Sequence, residues 1–189
     1  MAIQKNVIWS SFMVTYEDMK KKRLELEEKV NARRNTIRTI VVQLRDAYIE
    51  SLSLPATSWK RIDGAEMPYV RLCVRNRDNE GFETQEYTEV NPLNMPLTDD
   101  YHADFWLSTV IDDTPRGGTE VFVNVDIFEK DGAPKVVLRE DGHQPRPPIN
   151  LIRDGSSYLC DDICKAIKDI VLMSIVDPGL NRPRGFPDF

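Results

Sequence analysis

Two histidines and three cysteines are all that the 189 residues contain of the side chains that most often carry catalysis. Acyl transfer by a serine or cysteine nucleophile needs a neighbouring base, usually imidazole. Neither His102 nor His143 accompanies a GxSxG-type nucleophile turn. Phosphate-cradling glycine loops of the GxxxxGKS/T or GxGxxG kind do not occur. The three cysteines, Cys73, Cys160 and Cys164, form no regular framework, which fits a reducing cytoplasm and a role as small packing residues. Cys160 and Cys164 share a helical face, but two thiols are half a metal site. The longest strongly apolar run, 170–176, is too short to cross a bilayer. The first residues lack the basic start and long apolar stretch of a secretory leader. No membrane partner and no cofactor are therefore expected.

Positive charge is also in deficit: 25 Lys and Arg against 31 Asp and Glu, a net charge of −6. A protein whose main business is gripping phosphate backbones needs the opposite balance. Residues 20–23 are all basic, but four consecutive residues wrap a helix and do not line one face, and Glu25, Glu27 and Glu28 neutralise them locally. Nucleic acid is not the expected partner. With 41% apolar and 30% charged residues the chain has the composition of an ordinary globular domain, and its length suits one.

What is present is periodicity. From Thr15 to Leu52 there is neither glycine nor proline, and Met19, Leu26, Val30, Ile37, Val41, Leu44 and Tyr48 recur at spacings of seven, four and three. Thr15 is a plausible N-cap, with Glu17 and Asp18 in the first turn, and Leu54-Pro55 closes the helical region. The first half of this helix is charged with a thin apolar stripe; the second half is rich enough to be core. Residues 69–75 alternate, residues 82–90 form a more polar strand, and 105–111 read as another. The clearest strand is 120–129, where Val121, Val123, Val125 and Ile127 alternate with Phe122, Asn124, Asp126 and Phe128. Asp131-Gly132 marks a hairpin returning through 135–139. Residues 141–150 read as a proline-rich linker. Ser156 or Ser157 is expected to cap a last helix, whose apolar end is buried by the domain or by a partner.

The expected fold is α+β: a long N-terminal helix (15–52), an antiparallel meander sheet of four to five strands (67–140), and a C-terminal helix (157–176) packed on the sheet. An arm (1–14) precedes this single domain and a loose tail (177–189) follows it. Two functions fit. One is a non-enzymatic binding or assembly protein, an adaptor, chaperone or subunit of a larger bacterial or phage complex. Its partner is another copy of itself or a different protein, met through Met19, Leu26, Val30 and Ile37. The alternative is a metal-dependent phosphodiester hydrolase built on the acidic loop 98–104. There Asp99, Asp100, His102 and Asp104 would offer oxygen and imidazole ligands to Mg²⁺ or Mn²⁺, with Asp112 as a further candidate.

Overall fold

A run of 36 residues without a helix breaker becomes the first element, α1 (Tyr16–Ser51). The computed structural model of the chain describes residues 14–77, 83–116, 118–140 and 144–175. The expected arm before Val14, the turn at 78–82 and the tail lie outside them. Thr15 caps α1 as expected. Its Oγ1 accepts from Asp18 N at 3.2 Å while the Asp18 carboxylate accepts from Thr15 N at 2.9 Å, a reciprocal box that satisfies two otherwise unpaired donors. At the other end Leu52 N and Ser53 N bond back to Ile49 O and Glu50 O, and Ser53 takes the left-handed conformation that ends helices. The chain divides into two units, Met1–Arg33 and Arg34–Phe189, and the division falls inside α1. In the first unit the described residues of the helix are exposed or half-buried.

In the second unit Ile37, Ile40, Val41, Leu44 and Tyr48 of α1 are core residues. They pack on a six-stranded antiparallel sheet of order β4-β3-β5-β6-β7-β8. Its strands are β3 (Val70–Arg77), β4 (Glu83–Glu89), β5 (Ala103–Val110), β6 (Glu120–Lys130), β7 (Ala133–Glu140) and β8 (Ile149–Asn150). Strand alternation decides the faces. Val70, Leu72, Phe105, Leu107, Val123, Val125, Ile127, Val136 and Leu138 turn to the helices. Tyr48 and Thr109 share a buried hydroxyl–hydroxyl bond of 3.0 Å on that face. The expected hairpin is present: Asp131 and Gly132 both have positive φ, the two-residue turn whose twist suits right-twisted strands.

Two expectations are corrected. The proline-rich segment is not a free linker among its described residues. Arg146 N bonds to Leu138 O, Leu151 N bonds to Pro134 O, and Ile149 and Asn150 pair with β7. Prolines are tolerated there because an edge strand leaves some backbone positions without ladder bonds. Residue 157 does not begin a helix. β9 (Ile152–Asp154) and β10 (Ser157–Leu159) form a hairpin around Gly155, whose φ of 58° only glycine adopts freely. Asp154-Gly155 is thus a turn signal that outweighs capping by the serines. The last helix, α2 (Asp161–Ser174), starts after Cys160, which makes no side-chain cap bond, and it lies over β6 and β7. A small hairpin, β1 (Ser58–Lys60) with β2 (Glu66–Pro68), completes the described strands.

Candidate functional site

The four residues expected to meet a partner do not share one environment. Met19 is 55% and Leu26 61% exposed, Val30 is half-buried, and Ile37 is fully buried. Ile37 therefore belongs to the core, because from that turn onward the stripe faces the sheet, and it offers nothing to a partner. Around Leu26 the helix carries its own ion pairs, Lys22 with Glu25 at 3.7 Å and Arg23 with Glu27 at 2.9 Å. At the far end of the chain only part of α2 is covered. Ile163, Cys164, Ile167, Ile170 and Val171 are buried, whereas Leu172, Met173 and Ile175 are exposed. The described residues of the second unit do not bury that end.

The acidic loop is built by strand alternation and a tight turn. Tyr101 has a φ of 62°, its N–H bonds to Thr98 O, and Thr98 N bonds to His102 O. Asp99 and Asp100 lie at this exposed turn. His102 stacks on Phe128 with ring centres 4.8 Å apart, and its Nδ1 lies 3.2 Å from Asp126 Oδ1. Asp104 accepts from Asn124 Nδ2 at 2.6 Å, and Asp112 caps its own turn by accepting from Thr114 N. His102, Asp104 and Asp112 thus each have a separate partner. Among the described residues no three or more His, Cys, Asp or Glu are grouped so as to hold a metal ion.

Beside His102 the carboxyl of Asp126 is perturbed. Burial pushes its carboxyl above the ordinary 3.8, against the pull of His102; Asp104 adds to the rise and Arg139 opposes it. A raised folded-state value means that the folded chain holds the proton more tightly than the unfolded one. The stability this group contributes is therefore fully present below the unfolded value and lost as pH rises through the folded one. Asp126→Asn removes that loss. Relative to wild type it should gain stability as pH rises from the ordinary 3.8 through the raised folded-state value of Asp126. Urea titrations across that interval check the sign, and a relative gain by wild type would contradict it.

The same face of the sheet, turned away from the helices, carries interactions that the sequence did not point to. Arg71 Nη2 bridges both carboxylate oxygens of Glu120, which also accepts from Ser108 Oγ. The Arg75 guanidinium lies 4.3 Å over the Trp106 ring and donates to Tyr87 Oη at 2.7 Å. Tyr87 stacks on Phe122 at 4.2 Å. Alternation of Arg71 and Arg75 with core residues was visible; their partners depend on the order of strands. Cations and carboxylates are interleaved, so the face gathers no excess of one charge. The three cysteines are free and buried, and burial pushes the Cys73 and Cys164 thiols up to about 11, which makes them packing groups and poor nucleophiles. Among the described residues no helix is long and apolar enough to cross a membrane. No protein-family model, no curated protein and no solved structure matches the chain.

Proposed function

We propose that the chain is a non-enzymatic binding or assembly protein of the cytoplasm, working through apolar helical surfaces that a partner covers. The observation that carries this reading is the exposure of Met19 and Leu26. They lie on the same stripe as Ile37 and Leu44, so the pattern that makes core in the second unit continues where the described residues of the first unit form none. The exposed Leu172, Met173 and Ile175 offer a second such surface. Apolar surface of this kind is what partners bury. Each Met, Leu or Val side chain gains about 1.5–3 kcal/mol on full burial, whereas association costs about 4–15 kcal/mol. A single short stripe thus sustains weak to moderate binding, which suits a component of a larger assembly.

The reading predicts that a photo-crosslinking residue at Leu26 yields one defined adduct in the native cell, and that the same residue at Lys21, on the opposite side of the helix, does not. Leu26→Glu with Val30→Glu should abolish the association while leaving the circular dichroism spectrum and melting temperature unchanged. An equal yield at both positions, or association that survives the double variant, would remove the stripe from the function.

A further inference from the structure

We propose that β4 is a docking strand: an extended, lysine- or arginine-rich segment of another protein adds to the sheet along its outer edge. This site is independent of the helical surfaces. β4 ends the sheet, and among the described residues no strand pairs with its outer side. The register fixes which backbone groups are free there. Val90 N bonds to Leu72 O, and bonded pairs alternate along an antiparallel ladder, so Val74 and Thr88 form the next one. Tyr87 and Glu89 therefore turn their N–H and C=O groups outward, spaced to pair with a further strand. The opposite edge of the sheet offers much less. β8 has two residues and follows Pro147 and Pro148, which lack N–H groups.

Charge selects the occupant. Residues 78–115 hold ten Asp and Glu and no Lys or Arg, so in a chain of net charge −6 the remainder is net positive. β4 lies inside that stretch, and its charged side chains are Glu83, Glu86 and Glu89, all exposed. The arginines of neighbouring β3 do not offset them all. Arg75 reaches Glu83 at 3.5 Å, and Arg71 bridges Glu120. Among the described residues Glu86 and Glu89 make no ion pair. A second copy would bring the same uncompensated carboxylates to the edge, which opposes self-pairing. A basic strand meets the reverse. Its cations would lie beside Glu89 on one face and Glu86 on the other, because side chains alternate along a strand. Backbone bonds supply the attachment and the glutamates the choice of partner.

The test uses the isotope-labelled full-length chain and strand-length synthetic peptides of one alternating apolar pattern, with lysine or with glutamate at the polar positions. The lysine peptide should slow hydrogen exchange at the Tyr87 and Glu89 amides. The glutamate peptide should bind about tenfold more weakly or worse. Methylating the backbone nitrogens of the lysine peptide should abolish the protection, because the attachment is through the backbone. Glu86→Lys with Glu89→Lys changes two exposed positions and should leave the amide spectrum of the core intact while reversing the preference between the peptides. No protection by the lysine peptide, or equal binding of the two peptides, would overturn the proposal. So would slow exchange at both amides without any peptide. Rising with protein concentration, it would mean that a second copy takes the edge; constant, it would mean that the chain covers its own edge.

Discussion

Phe105→Ala should lower the free energy of unfolding by about 3–5 kcal/mol. Phe105 stands on β5, third of six strands, opposite Val125 and 1% exposed. Removing the ring loses its transfer free energy and leaves a cavity among strands whose hydrogen-bonded ladders on both sides resist collapse. A domain of this size is ordinarily stable by only about 5–15 kcal/mol, so the variant would keep a fraction of its reserve. Urea titration should show a lower midpoint with an unchanged slope, since the surface exposed on unfolding is nearly the same. Leu93→Ala is the matched control. Leu93 is 66% exposed on the short helical turn 92–94, and its truncation should shift stability by less than about 0.5 kcal/mol. A loss at Phe105 no larger than at Leu93 would mean that the sheet does not form the core described.

The elements legible in the sequence were those whose signal is local. The stripe from Ile37 to Tyr48 and the alternation from Val121 to Ile127 each write a period that admits one secondary structure, and both were met. Thr15 with Asp18, and Asp131 with Gly132, declared an end and a turn through residues three positions apart or adjacent. What failed was competition between local signals. Ser156 and Ser157 followed by Asp161 and Asp162 satisfy the helix-start pattern, yet Gly155 lets Asp154 pair with Ser157 as a hairpin first. Prolines at 145, 147 and 148 hid an edge strand because proline is read as a breaker and the edge position that tolerates it is set by the sheet.

The acidic loop misled for a related reason. Closeness in sequence is not convergence in space. His102 and Asp104, two positions apart, share a face and reach Asp126 and Asn124, while the turn through Tyr101 leaves Asp99 and Asp100 with other surroundings. The other networks of that face were illegible for the converse reason. Arg71 and Glu120 are 49 positions apart, and only the pairing of β3 with β5, and of β5 with β6, brings them together. The apolar stripe on the first turns of α1 was legible in sequence, and Met19 and Leu26 on it are exposed.

Glu120→Gln is expected to cost about 2–3 kcal/mol, a large loss for a change of one atom. The Arg71 and Glu120 side chains are only 20% and 18% exposed, so solvent does little to replace the missing charge. The amide retains one acceptor, but Arg71 and Ser108 both point at the carboxylate and compete for it. Ser108 is fully buried, and among the described residues Arg71 Nε has no hydrogen-bond partner, so the guanidinium relies on Glu120 for its compensation. Breaking one partner of such a pair leaves an uncompensated cation, whereas removing all of them together does not. Arg71→Met, Glu120→Leu and Ser108→Ala combined should therefore lie within about 1.5 kcal/mol of wild type, well short of the sum of the single losses. Urea midpoints of the single, double and triple variants measure the coupling directly. Strict additivity would show that the three side chains act independently and that this face of the sheet is held by its aromatic contacts alone.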